Sequence, residues 1–154
     1  MNLINTEIDD SNPIGTLLDD CAGWVAYVEE KGTVSEVGIA TDIFDDDLQT
    51  EWKLSSDNVF HFVVDMTEVY NVIAIHAAYS YYGALEFGAF DKGVKLEYSL
   101  DGVNWDGIGT VSSNYKKNLN LYSATAMRYI RVTVPSTNGK KPSITIGSFK
   151  IYGE

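Results

Sequence analysis

Cysteine is nearly missing from this chain. Cys21 stands alone among 154 residues, so no intrachain disulfide can form and a disulfide-stapled scaffold is excluded. Basic residues are scarce as well: eleven Lys and Arg stand against twenty-two Asp and Glu, a formal net charge of -11. Such a charge repels nucleic-acid phosphates and anionic lipid head groups, so nucleic acid is excluded as a partner and a membrane surface is disfavoured. No apolar run approaches the roughly 18 residues of a membrane helix. The opening MNLINTEIDD lacks the basic and apolar regions of a signal peptide. Helical periodicity is absent too, and only LLDD, residues 17 to 20, offers the start of a helical turn.

What is present is alternation. Phe60, Phe62, Val64 and Met66 fall on one face of FHFVVDM, with His61, Val63 and Asp65 on the other. In VKLEYSL, Val94, Leu96, Tyr98 and Leu100 oppose Lys95, Glu97 and Ser99, and the segment runs into the turn pair Asp101-Gly102. NVIAIHAAY, MRYIRVTVP and SITIGSFKIYG read as more continuous buried strands. Short strands between turn signals predict an all-β fold, an antiparallel β-sandwich or jelly roll. A chain of this length makes one core. The polar residues 1–20 read as a linker or amino-terminal extension and 21–154 as the domain, which is expected to be a module of a larger exported protein.

Two stretches carry candidate chemistry. FDDDLQTEW, residues 44–52, packs three aspartates ahead of Trp52. By charge alone this is a solvated turn; a hard cation such as Ca²⁺, wanting six to eight oxygens from carboxylates, carbonyls and hydroxyls, is the other reading. Acid-base catalysis fits poorly, because neighbours in one turn share one environment and their pKa values are not split. The second stretch, AAYSYYGALEFGAFDKG, is a long, glycine-punctuated connector rich in aromatics. Tyr79, Tyr81 and Tyr82 are its candidate aromatic platform for a ligand, with Phe87 and Phe90 as further candidates. His61 and His76 read as packed or surface histidines, Arg128 and Arg131 as braces of the barrel, and Trp105 as packed behind the LDGVNW hairpin turn.

The order of GW at 23–24, DDDLQTEW at 45–52, FVVDM at 62–66, YSLDGVNW at 98–105, RYIRV at 128–132 and ITIGSFKIYG at 144–153 resembles the discoidin domain. That family is also called the coagulation factor five/eight type C domain, and carbohydrate-binding module family 32 is among its bacterial relatives. The resemblance runs from Gly23 to Gly153. It implies an eight-stranded antiparallel jelly-roll sandwich with ligand-holding loops at one end, and no catalysis. It also implies a structural calcium held by side-chain oxygens of Asp45 and Thr50 and by carbonyls of Asp42, Asp47 and Thr50.

Departures from the family pattern are specific. Asp46 stands where glycine is common, and Ser148 where the last strand usually offers a glutamate ligand. The Arg, Asn and His of galactose-binding relatives are missing, Lys53 following Trp52 instead, so galactose specificity is not implied. Polar contacts are expected from Lys53, Asp57, Asn58, Asn138 and Lys140. The resulting expectation is a glycan-binding module of an extracellular, periplasmic or cell-surface bacterial protein, with other domains of that protein as partners. The alternative is a discoidin-type module for protein adhesion or docking.

Overall fold

The structure is a computed structural model that describes residues 5–9, 13–29, 32–81, 85–136 and 139–154. Among these residues the chain forms β1 (Asn5–Asp9), β2 (Thr16–Leu17), β3 (Val25–Val28) and β4 (Val34–Val37), then a short 3₁₀ helix at Ala40–Phe44. There follow β5 (Trp52–Ser56), β6 (Phe60–Tyr81), β7 (Leu85–Gly88), β8 (Lys95–Ser99), β9 (Asp106–Thr110), β10 (Asn118–Val134), β11 (Ser143–Ile146) and β12 (Ser148–Gly153). All pairings are antiparallel. The larger sheet runs β2-β12-β6-β10-β8-β9, with β1 on β10 and β3 and β7 on β6; the smaller runs β11-β5-β4. This is the expected antiparallel β-sandwich. Its strand segments exceed eight because short pieces, β1, β2 and β7 among them, pair with the long strands.

β6 and β10 form the frame. They pair from Val134↔Phe60 to Tyr129↔Asp65, then from Met127↔Tyr70 to Asn118↔His76, with register shifts between. Such shifts bend the strands. Thr67 sits at the bend with φ 68°, its amide donating to Asp65 Oδ1 at 2.8 Å. The bend lets one half of β6 pair with β3 and the other with β12 and β7. Residues 1–20, read as linker or extension, contribute β1 against β10 and β2 against β12. No helical turn forms at residues 17–20; the 3₁₀ turn lies at Ala40–Phe44 instead.

Side-chain alternation places the core. Phe60, Phe62, Val64 and Met66 are buried between the layers together with Trp52, Phe90, Phe149 and Ile151. Each large apolar side chain so buried contributes about 2–3 kcal/mol. Trp52 meets Phe62 edge-on at 5.3 Å between ring centroids and donates its indole N–H to Glu36 Oε1 at 3.0 Å. Leu100 departs from its expected inward face and is exposed, because β8 stops at Ser99. There Asp101 accepts the amides of Val103 and Asn104, both at 2.8 Å, closing the turn. Arg131 donates to Glu97 at 3.0 Å and lies 4.3 Å over the Trp105 ring, and Arg128 donates to Asp65 at 2.9 Å. Both arginines therefore brace strands, as their pattern predicts.

Candidate functional site

The acidic loop leaves the 3₁₀ helix through Asp45, whose amide donates to the Asp42 carbonyl at 3.2 Å. Asp46 then takes φ 60°, a left-handed conformation that Asp tolerates better than most side chains. Its carboxylate pairs with Lys150 Nζ at 2.9 Å, a bond that raises the lysine's pKa. On either side, Asp47 N donates to Asp45 Oδ1 at 2.8 Å and Gln49 N to Asp47 Oδ1 at 2.9 Å, the local turns in which aspartate excels.

Thr50 closes the loop. Its Oγ1 lies 2.6 Å from Asp45 Oδ2 and 2.9 Å from the Asp47 carbonyl oxygen. A hydroxyl has one proton to donate, so a carboxylate, a carbonyl and a hydroxyl oxygen converge around a single proton. Ser148 begins β12, buried, and among the described residues its Oγ has no hydrogen-bond partner. The preceding Gly147 packs so tightly on the loop that a Cβ there would sit 3.0 Å from the Leu48 carbonyl oxygen. Asp42, Asp45, Asp47 and Thr50 thus share one turn, and Ser148 follows the glycine packed against it. Among the described residues no group of three or more His, Cys, Asp and Glu is placed to hold a metal ion. Oxygen ligation here would therefore lean on carbonyls and hydroxyls beside the carboxylates, a donor set that suits a hard cation and no soft one.

The aromatic stretch is not the long connector expected. β6 continues to Tyr81 and returns as β7, with Ala78↔Gly88 and Tyr79↔Phe87 paired. Aromatic residues favour such a ribbon, and Gly88 lets it press on the Lys116 backbone, where a Cβ would meet the Lys116 carbonyl oxygen at 2.4 Å. Tyr79 is half-buried and stacks on Phe87 at 6.0 Å; Phe87 in turn meets Tyr115 at 5.8 Å. Phe90 is fully buried in the core, which removes it from the candidate platform. Tyr81 is placed as strand backbone only, and Tyr82 lies outside the described residues.

The Tyr79–Phe87–Tyr115 row leads to a cleft. About 380 Å³ of open space is lined by Asp91, Lys92, Asn114, Tyr115, Ser136 and Lys140, with Gly93 and Pro135 between them, a volume within the range of small-ligand sites. Tyr115 is 54% exposed and takes φ 62°, its amide held by Asp91 Oδ1 at 3.1 Å, while Asn114 Oδ1 accepts the Lys92 amide at 3.0 Å. The turn is therefore tied from two sides and its ring faces water.

Lys140 is the expected polar residue that reaches this cleft. Asn138 lies outside the described residues, and Lys53 does not line it, projecting from β5 beside Glu51 at 3.8 Å. Asp57 is exposed and paired with Lys141 at 2.7 Å. Tyr115 is not singled out by the sequence pattern. Its signal is an aromatic in the otherwise polar SSNYKKN between two strands.

His76 is buried, its Nδ1 against Asn118 Oδ1 and its Nε2 3.6 Å from Glu86 Oε1. Burial pushes its pKa down, and Lys150 and Lys117 push the same way against Asn118 and Glu86. His61 faces Glu29 at 3.4 Å.

A family model described as F5/8 type C domain matches residues 29–147. Solved structures share the fold. The module CpGH89CBM32-5 from Clostridium perfringens, in complex with GalNAc-β-1,3-galactose, superposes with a TM-score of 0.69 at 15% identity, covering 90% of this chain and 100% of that one. The family 32 module of NanJ from Clostridium perfringens, in complex with galactose, gives 0.66 at 15% identity over 90% and 98%. A family 89 glycoside hydrolase from Clostridium perfringens gives 0.59 at 20% identity, covering 91% of this chain but 15% of the hydrolase. Comparison with curated proteins returned no match.

Proposed function

Because this chain belongs to the F5/8 type C domain family, we propose that it is a non-catalytic carbohydrate-binding module carried by a larger exported or surface bacterial protein. The observation that carries the reading is the exposed Tyr115 ring, braced by Phe87 and bordering a cleft with Asn114, Ser136, Asp91 and two lysines. A sugar ring offers an apolar C–H face rimmed by hydroxyls. Tyr115 would take the face, and the polar groups would take the hydroxyls. Known sugar complexes of structures with this fold, one holding GalNAc-β-1,3-galactose and one galactose, support the class of ligand. An open cleft of this kind predicts weak single-site binding, about micromolar to millimolar, made useful by repetition in the parent protein.

A structural calcium belongs to the same reading. Asp45 and Thr50 side chains with carbonyls of Asp42, Asp47 and Thr50 would hold it, and the buried Ser148 hydroxyl, without a hydrogen-bond partner among the described residues, stands on the strand packed against that loop. Bound there, the cation would neutralise the carboxylates and stiffen the turn. The residues themselves already cap each other's amides.

The test is a glycan array on the purified chain, repeated with Tyr115→Ala. Binding to a defined set of glycans that disappears in the variant, at an unchanged melting temperature, is the expected result. Capture of no glycan at all, or hydrolysis of one, would overturn the reading.

A further inference from the structure

Resting on the sugar-binding reading of the same cleft, we infer that its ligand is an acidic sugar, a pyranose carrying a carboxylate or a sulfate. The chain has twice as many acidic as basic side chains, 22 against 11, so a lysine without a carboxylate is the exception in it. Lys95 pairs with Glu97 at 3.7 Å, Lys117 with Glu86 at 3.9 Å, Lys141 with Asp57 at 2.7 Å and Lys150 with Asp46 at 2.9 Å. Lys92 and Lys140 are exposed and, among the described residues, neither has an ion-pair partner. Both line the Tyr115 cleft, and both also line an adjoining concavity that Lys141 enters.

The other polar groups fit the same ligand. Among the described residues Asp91 is the one carboxylate of the cleft lining, and its Oδ1 is committed to the Tyr115 amide. Asn114 spends its carbonyl oxygen on the Lys92 amide, which leaves its NH₂ group to donate. Two ammonium groups, an amide NH₂ and the Ser136 hydroxyl thus offer donors in excess around an aromatic platform, the complement of a ring bearing an anion.

Net charge does not oppose this. The overall -11 is screened beyond about 8 Å at physiological ionic strength, whereas ammonium groups in contact with ligand act within that distance. Lysine presents a point charge rather than a planar fork, so the cleft selects charge without distinguishing a planar carboxylate from a tetrahedral sulfate.

The experiment is titration calorimetry on the full chain with matched pairs: galacturonate against galactose, galactose 6-sulfate against galactose, and sialyllactose against lactose. At least one charged member should bind about tenfold tighter than its neutral partner, the effect of charge-assisted hydrogen bonds at a partly desolvated site. The pairs that show it report whether carboxylate, sulfate or both are accepted. In Lys92→Gln/Lys140→Gln the charged-to-neutral ratio should fall to near one, whatever happens to neutral-sugar affinity; both side chains are exposed, so folding is kept. Neutral sugars binding as tightly as their charged partners in all three pairs, or a charge preference that persists in the double variant, overturns the acidic ligand and leaves the sugar-binding module standing. Binding of none of the five sugars overturns both.

Discussion

Asp91 holds Tyr115 across a separation of 24 residues: Asp91 Oδ1 accepts the Tyr115 amide at 3.1 Å. The residue it fixes has φ 62°, a conformation that costs a bulky side chain about 1 kcal/mol or more without support. Asp91→Ala and Asp91→Asn both remove the charge, but only asparagine retains an acceptor oxygen. Asparagine is therefore expected to keep sugar affinity, and alanine to weaken it about threefold or more through a loosened Tyr115, with about 1 kcal/mol less stability. Equal sugar affinity in the two variants, read by calorimetry, would remove Asp91 as the positioning residue.

Calcium added to chelator-treated protein should raise the melting temperature. At a hundredfold excess over its dissociation constant the gain is about 2.7 kcal/mol. Thr50→Val and Asp45→Asn each remove a converging oxygen or its charge and should erase the shift. A melt indifferent to chelator would leave the loop as a solvated turn closed by its own hydrogen bonds.

His76 makes stability depend on pH in a definite direction. Its folded-state pKa lies below the ordinary 6.5 because burial disfavours the imidazolium. Below that pH the unfolded chain takes up a proton that the folded chain resists, so stability is intact above 6.5 and falls as pH drops beneath it. Melting temperatures measured between about pH 7.5 and 5 should show the decline, and His76→Gln should flatten it. The lowered carboxyls of Asp57 and Asp65, whose ordinary value is 3.8, act only at more acidic pH.

Arg131 matters for the frame. The Glu97 side chain is 8% exposed and has the guanidinium at 3.0 Å, so Arg131→Ala strands a carboxylate and uncovers Trp105. A loss of about 3 kcal/mol is expected in urea denaturation. Arg131→Lys should restore part of it, since lysine carries the charge without the fork or the ring-stacking plane. A loss below about 0.5 kcal/mol for the alanine variant would mean that Lys95, 3.7 Å from Glu97, suffices alone.

Much of the sandwich was legible along the chain. Alternation at Phe60–Met66 marked the buried face because side-chain direction in a strand reverses at every residue. Asp101-Gly102 marked the turn, since aspartate can accept the following amides and glycine the positive φ of 77° found there. The segment from Asp45 to Thr50 closes on itself, with Thr50 Oγ1 against Asp45 Oδ2 and the Asp47 carbonyl, and the Asp47 amide donating to Asp45 Oδ1. Leu100 was misread because alternation does not say where a strand stops. The Tyr79 segment was misread as a connector because its glycines look like loop punctuation, whereas Gly88 serves close packing on Lys116.

By itself, then, the sequence determined a β-sandwich with a particular buried face and an acidic surface, because period, turn chemistry and charge are local or additive properties of the chain. Which aromatic would border the cleft was decided only by the tertiary structure. Tyr79 and Phe87 share a hairpin, but Tyr115 comes from a separate loop, and its exposure depends on contacts with Phe87 and Asp91. The pairing of Lys92 with Lys140 in one cleft is likewise a product of folding, since burial and juxtaposition belong to segments that meet in space and leave no periodic trace along the chain.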